Sequence, residues 1–138
     1  MRRASRCGPT RRATLVAVLA LTSVLAACEG SVGERGVREQ AVALTGGNPD
    51  SAPALIRRYG CVSCHTIPGI PGANAVVGPP LTRMARRTYI AGVLPNTPPN
   101  MERWLMDPPA VDSLTAMPPL GVTAADARTI AAYLYTLR

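Results

Sequence analysis

The sequence predicts an all-α protein. In the last segment, Ala127, Ile130 and Leu134 recur at spacings of three and four, which places them on one face of a helix. A similar pattern surrounds Trp104, and no segment shows the alternation of apolar and polar residues that is typical of a strand. Proline and glycine separate the apolar segments. We therefore expect three main helices joined by loops, in one domain that covers residues 48–138.

The first of these helices is predicted to be short. Asp50 or Ser51 can cap it, and Pro53 is compatible with its first turn. Ile56 and Tyr59 lie on its apolar side. It leads directly into a cysteine-containing motif, which is followed by a loop rich in proline and glycine.

The second and third helices have clearer ends. The second is predicted to start near Asn96-Thr97-Pro98, which offers a cap followed by a proline. It is predicted to stop at Asp107-Pro108, because the residue before a proline is disfavoured in the helical region. Thr123 and Asp126 resemble a capping box at the start of the third helix.

Residues 1–27 are predicted to be a signal peptide. Five arginines without an acidic residue precede an apolar stretch from Leu15 to Ala27, which is too short to span a bilayer comfortably as a helix. Leu25-Ala26-Ala27-Cys28 then resembles the lipobox of bacterial lipoproteins, which implies that Cys28 is lipidated and begins the mature chain. An ordinary signal peptide with an incidental cysteine, and twin-arginine export, are the alternatives. We expect a protein anchored by lipid on the periplasmic side of a bacterial membrane.

The high positive charge of the chain belongs largely to this leader. Without residues 1–27, ten arginines remain against eight acidic residues, a net charge of about +2. Nucleic-acid binding, which needs a basic face on the folded domain, is therefore not indicated. Residues 28–47 are rich in glycine and charge, and we interpret them as the lipidated N-terminus and a flexible tether. A short helix at residues 38–44 is possible but would be marginal alone.

Cys61-Val62-Ser63-Cys64-His65 is the motif that carries chemistry. In a C-x-x-C-H sequence, the two thiols add across the vinyl groups of a haem and the adjacent imidazole reaches the iron. A zinc site would need four ligands, whereas the mature domain offers only Cys61, Cys64 and His65. A thioredoxin-like redox pair would need an alternation of strands and helices. The motif therefore predicts one covalently attached haem c.

The second axial ligand of such an iron has several candidates, because His65 is the only histidine in the chain. Met84, Met101, Met106 and Met117 all carry a thioether. Pro118-Pro119 directly follows Met117 and would stiffen its loop, so we favour Met117. An open coordination position or another methionine remains the alternative.

From about Ser51 to Leu137 the chain resembles a class I cytochrome c. Gly78-Pro79-Pro80-Leu81 is similar to the Gly-Pro-x-Leu of that family. The stretch from Trp104 to Pro118 is similar to the segment that leads to the axial methionine, and Ile130–Leu134 is similar to the last helix. The resemblance implies the class I cytochrome c fold, with three main helices and loops wrapped around one covalent haem.

The same resemblance implies roles for further residues. The Pro79 carbonyl would accept a hydrogen bond from the ring N–H of His65. Arg87, Tyr89 and Trp104 would lie near the haem and its propionates. An adjacent arginine leaves the choice of arginine open, and a solvated basic face is the rival interpretation. The lysine ring that mitochondrial relatives present to their partners is missing, because the chain contains no lysine.

The resemblance thus implies an electron carrier rather than an enzyme. We expect a membrane-tethered monohaem cytochrome whose partners are an oxidase, a dehydrogenase or a quinol-oxidising complex. The alternative is a fixed haem subunit of a terminal oxidase or of a periplasmic dehydrogenase. A third class, a five-coordinate haem that binds small gases or reduces peroxide, would require Met117 to be off the iron.

Overall fold

A computed structural model describes residues 33–138. The predicted signal peptide, the lipidation site at Cys28 and the first residues of the predicted tether lie outside these residues. Residues from Val37 to Arg138 form one compact unit.

Five α-helices occur within residues 33–138. Helix α1 covers residues 33–45, α2 Ala52–Arg58, α3 Pro98–Met106, α4 Pro108–Val111 and α5 Ala124–Thr136. Two single turns of 3₁₀ helix, Cys61–Ser63 and Met84–Arg86, lie between α2 and α3. They are followed by a two-stranded antiparallel sheet, in which β1 (Tyr89–Ile90) pairs with β2 (Leu94–Pro95).

The expected all-α, class I cytochrome c fold with three main helices is therefore wrong. The described chain has five helices and a small sheet. The hairpin escaped prediction because each strand has only two residues, too few to show an alternating pattern. Its turn places Ala91 at φ 50° and Gly92 at φ 79°, and this left-handed conformation is uncommon for alanine.

The two helices beyond the three main predicted ones, α1 and α4, also have physical explanations. Helix α1 would be marginal alone and is stabilised by packing against the rest of the domain. Its Ala41 is only 1% exposed. A single residue, Asp107, separates α4 from the end of α3. The Asp107 side chain accepts a hydrogen bond from the Ala110 backbone N–H at 3.2 Å, and Pro108 fits the first turn that follows.

Helices α3 and α5 coincide closely with the sequence prediction. Thr123 caps α5, since its hydroxyl oxygen accepts a hydrogen bond from the Asp126 N–H at 3.2 Å. Pro98 occupies the first turn of α3. Helix α5 packs against both α2 and α3, and its Ala127 and Ala131 are fully buried, so neighbouring backbones approach it closely.

The link between α1 and α2 is packed against α5. A Cβ atom at Gly47 would lie 2.3 Å from the Arg128 carbonyl oxygen, so only glycine fits at this position. The Thr45 hydroxyl is buried, donates to the Ala41 carbonyl at 2.8 Å and accepts from the Gly47 N–H at 3.1 Å. Within residues 33–138, no helix combines the length and the apolar character needed to cross a membrane.

Candidate functional site

A cavity of about 510 Å³ is lined by residues from α2, α3, α5 and the loops between them. Helix α5 contributes Ile130 and Leu134 to its lining, and α3 contributes Met101, Trp104 and Leu105. Most of the remaining lining comes from loops. Pockets of this volume with apolar walls and few polar groups are typical of cofactor and ligand sites.

All eight residues that were predicted to contact a cofactor line this one cavity. They are Cys61, Cys64, His65, Pro79, Arg87, Tyr89, Trp104 and Met117. They come from positions up to 56 residues apart in the chain, so the fold brings them together.

The turn that carries the two cysteines begins at Gly60. This residue adopts φ 72°, which ends α2 and redirects the chain into the 3₁₀ turn. The backbone N–H groups of Cys64 and His65 both donate to the Cys61 carbonyl, at 3.3 and 3.0 Å. Both thiols are free and half-buried. Burial, more than any other influence, raises the pKa of the Cys61 thiol.

The imidazole of His65 is held in one orientation. Its Nδ1 lies 2.7 Å from the Pro79 carbonyl oxygen, the contact that the resemblance implies. Because a carbonyl can only accept, Nδ1 donates, and in the neutral tautomer with this hydrogen bond Nε2 carries the lone pair. The neighbouring Gly78 N–H donates to the Cys64 carbonyl at 2.7 Å. A Cβ atom on Gly78 would lie 2.4 Å from His65 Cε1, so this glycine leaves room for the ring.

Met117 lies in the loop between α4 and α5. Its backbone N–H donates to the Thr115 hydroxyl oxygen at 3.2 Å, and Pro118 follows it. Its side chain is half-buried, packs against the hydrophobic core and lines the cavity. Met84 and Met101 also line the cavity, but both are almost completely buried. Met106, the fourth methionine considered, is outside the cavity lining.

Arg87 makes contacts that the sequence did not predict. Its guanidinium donates to the Pro80 carbonyl and, at 3.0 Å, to the Thr82 carbonyl. It therefore holds the loop that carries Pro79 as well as lining the cavity. Tyr89 is 55% exposed, whereas Trp104 is 9% exposed, so the tyrosine is on the open side of the cavity.

The sequence places Asn96 at the start of the second helix but does not predict its contacts with the rest of the fold. Its side-chain amide donates to the carbonyls of Met84 and Arg87, both at 2.8 Å. A single asparagine next to Thr97-Pro98 is most simply interpreted as a helix cap, and only the tertiary structure reveals its partners. Within residues 33–138, His, Cys, Asp and Glu side chains form no group of three or more that could hold a metal ion.

Comparisons with known proteins give one informative similarity. No family model matches the chain, and no solved structure matches it. Cytochrome c oxidase subunit 2 of Alkalihalophilus pseudofirmus is 32% identical to the chain over 79 residues. These residues are 56% of this chain, and the match covers only 22% of the oxidase subunit. The similarity is thus to one segment of a much longer protein.

Proposed function

We propose that this protein is a monohaem c-type cytochrome that transfers single electrons. The observation that carries the proposal is the composition of the cavity wall. Two thiols, one imidazole and the half-buried thioether of the loop residue Met117 line the same apolar cavity of about 510 Å³. These are the groups that attach and ligate a haem of this type.

The chain's own residues fit the group. Cys61 and Cys64 would form the two thioether links, and His65 and Met117 would be the axial ligands. The Pro79 carbonyl orients the imidazole and makes it a stronger ligand. When bound, the haem supplies reversible one-electron chemistry at iron, and a His/Met ligand pair favours the reduced state. The buried side chains of α3 and α5 give this part of the cavity an apolar wall.

Covalent attachment is tested with a double variant. We expect the wild type, produced with haem-attachment machinery, to retain its haem after denaturation in detergent. Cys61→Ser combined with Cys64→Ser should lose it. Ser63→Ala, in the same turn, is the matched control and should retain it. A wild type that releases its haem on denaturation would refute the proposal.

The axial ligand is tested by optical spectroscopy. Met117→Ala should abolish the weak far-red band of methionine-bound ferric haem, whereas Met106→Ala, outside the cavity, should leave it intact. Rapid carbon monoxide binding by the reduced wild type at neutral pH would instead favour a five-coordinate, enzymatic haem. We propose an electron carrier and not an enzyme, so we expect slow binding or none.

A membrane oxidase is the partner that we favour. The similarity to a segment of cytochrome c oxidase subunit 2 supports this choice, since the name of that relative describes an enzyme that oxidises cytochrome c. The protein would act as a tethered shuttle or as a fixed haem subunit. Stoichiometric co-purification with an oxidase in mild detergent would support the fixed subunit, and separation from it would support the shuttle.

The lipid anchor is a separate proposal, supported by the sequence that ends in Cys28. We expect Cys28→Ser to release the protein from membranes into the periplasmic fraction. Cys7→Ser is the control, because Cys7 precedes the proposed cleavage site. Membrane retention by the Cys28 variant would argue against the anchor.

A further inference from the structure

Asn96, which lies just before α3, is hydrogen-bonded both to residues 84–88 and to α5. Its Nδ2 atom donates both of its hydrogens, one to the Met84 carbonyl and one to the Arg87 carbonyl. Its Oδ1 atom accepts a hydrogen bond from the Tyr135 hydroxyl of α5 at 2.9 Å. Its backbone N–H donates to the Thr88 carbonyl at 2.9 Å. The amide is therefore fixed at both ends, and it fixes the backbone of residues 84–88.

The network continues through Arg87 toward the cavity. Asn96 holds the Arg87 backbone, and the Arg87 guanidinium holds the carbonyls of Pro80 and Thr82. Those two carbonyls flank Leu81, whose N–H donates to the Thr66 carbonyl at 2.8 Å. The loop over residues 80–82 is thus tied down on two sides.

The last link of the network is the ring of His65. Pro79 directly precedes this loop, and its carbonyl holds His65 Nδ1 at 2.7 Å. A continuous series of contacts accordingly runs from Tyr135 through Asn96 and Arg87 to the carbonyl that orients the imidazole. The links are hydrogen bonds, the Arg87 side chain and the peptide unit between Pro79 and Pro80, so a displacement at one end has a continuous physical route to the other.

We propose that Asn96 is a positioning residue for His65, which acts through Arg87 and the loop at residues 79–82. This inference rests on the proposed function, because it concerns the ligand strength of His65. A well-aligned Nδ1–H···O=C bond raises the basicity of the imidazole, and a more basic ligand favours oxidised iron. Loosening the loop weakens that bond and raises the reduction potential.

The Tyr135 hydroxyl, the donor at the far end of the network, keeps its proton over the physiological pH range. Burial raises the pKa of Tyr135 to about 12, so its hydroxyl remains protonated and continues to donate to Asn96. The position of the amide therefore does not depend on pH near neutrality.

Three variants of the haem-loaded protein test the inference. Asn96→Leu keeps the approximate volume and removes all side-chain hydrogen bonds. Asn100→Leu is the matched control, because Asn100 also donates to a backbone carbonyl, that of Pro95 at 2.9 Å, but has no link to the loop. Tyr135→Phe removes a single hydroxyl and preserves the packing.

The readouts are the reduction potential and the exchange with solvent of the His65 ring N–H, measured by NMR on the reduced protein. We expect Asn96→Leu to raise the potential and speed the exchange. Tyr135→Phe should cause smaller changes in the same directions, and Asn100→Leu should leave both at wild-type values. Thermal unfolding is measured in parallel, because a merely structural role would lower the melting temperature without moving the potential.

The outcomes separate the inference from the function on which it rests. Haem-loaded Asn96→Leu with wild-type potential and exchange would overturn the inference and leave the cytochrome intact. If Asn96→Leu fails to fold, the inference is tested with Tyr135→Phe. An unchanged reduction potential in Tyr135→Phe would overturn it. A wild type without covalent haem would overturn the proposed function, and the inference with it.

Discussion

His65 is held by a short loop whose residues leave almost no freedom to its ring. The Pro79 carbonyl accepts from Nδ1, and the missing side chain of Gly78 provides the space in which the ring lies. The two contacts act together, since one orients the ring and the other permits that orientation. The Pro79 carbonyl oxygen and the absence of a Cβ atom at Gly78 therefore determine the orientation in which the imidazole could serve as a ligand.

A methyl group at position 78 tests this arrangement. Gly78→Ala would place Cβ 2.4 Å from His65 Cε1, so the ring or the loop must move. We expect less covalent haem per protein, together with a loss of about 1–3 kcal/mol in the free energy of unfolding, as for other overpacked sites. Absorption spectra and urea unfolding measure the two effects. Gly36→Ala is the control, because no atom lies within 4 Å of a Cβ at that position, and equal behaviour of both variants would contradict the prediction.

Tyr59 and Asp126 form the second informative pair of residues. The Tyr59 hydroxyl donates to Asp126 Oδ2 at 2.5 Å and joins α2 to α5. This hydrogen bond is the main reason that the pKa of Asp126 lies below its ordinary value of 3.8. The pair stabilises the fold fully above pH 3.8, and this contribution is lost as the pH falls through the lower pKa of the folded state.

Tyr59→Phe should remove this dependence on pH. We expect the difference in melting temperature between wild type and variant to be constant at neutral pH and to shrink as the pH falls below about 4. Tyr133→Phe is the control, because the Tyr133 hydroxyl donates to the Pro68 carbonyl, which does not titrate. A Tyr59→Phe difference that stays constant down to pH 2 would show that the carboxylate is not involved.

Helix α5 is the element around which the others are arranged. Its buried face is made partly of alanine, which allows α2 and α3 to pack closely against it, and two larger residues of the same helix line the cavity. The spacing of its apolar residues predicted this helix correctly, because one face of α5 is buried along its length. The hairpin and α4 were not predicted, because they depend on one left-handed alanine and one aspartate cap.

The close packing of α5 is tested by enlarging one alanine. Ala127 is fully buried, so Ala127→Leu should lower the free energy of unfolding by about 1–3 kcal/mol. Ala125→Leu, on the exposed side of the same helix, should change it by less than about 0.5 kcal/mol. Urea unfolding followed by circular dichroism measures both. Similar losses in the two variants would mean that helix propensity, and not packing, determines the change in the free energy of unfolding.

At the scale of the whole molecule, the fold is built around its cavity. Elements from Ile56 to Leu134 contribute to the lining, so the cavity occupies the place where a larger protein would have core side chains. The chain contains no phenylalanine and a single tryptophan, so few large aromatic side chains are available to fill the interior. A bound cofactor would therefore act as part of the core.

Loss of the cofactor should accordingly loosen the whole domain. We expect the Cys61→Ser, Cys64→Ser variant to keep much of its far-ultraviolet helical signal, to lose most of its near-ultraviolet signal and to bind a hydrophobic dye. Ser63→Ala should resemble the wild type in all three measurements. A double variant with a wild-type near-ultraviolet spectrum would show that the domain packs without the cofactor.

The sequence by itself determined the local features of this protein. Cys61, Cys64 and His65 lie within five consecutive residues. Helices α3 and α5 follow from apolar spacing and from residues within one turn of their ends. The fold and the completed site required the tertiary structure, since the roles of Arg87 and Asn96 depend on partners distant from their own turns. The packing that stabilises helix α1 likewise depends on distant residues, and the hairpin depends on the left-handed backbone at Ala91 and Gly92. Helix ends and sequence motifs depend on neighbouring residues and can be deduced from them, whereas contacts between distant residues exist only once the chain has folded.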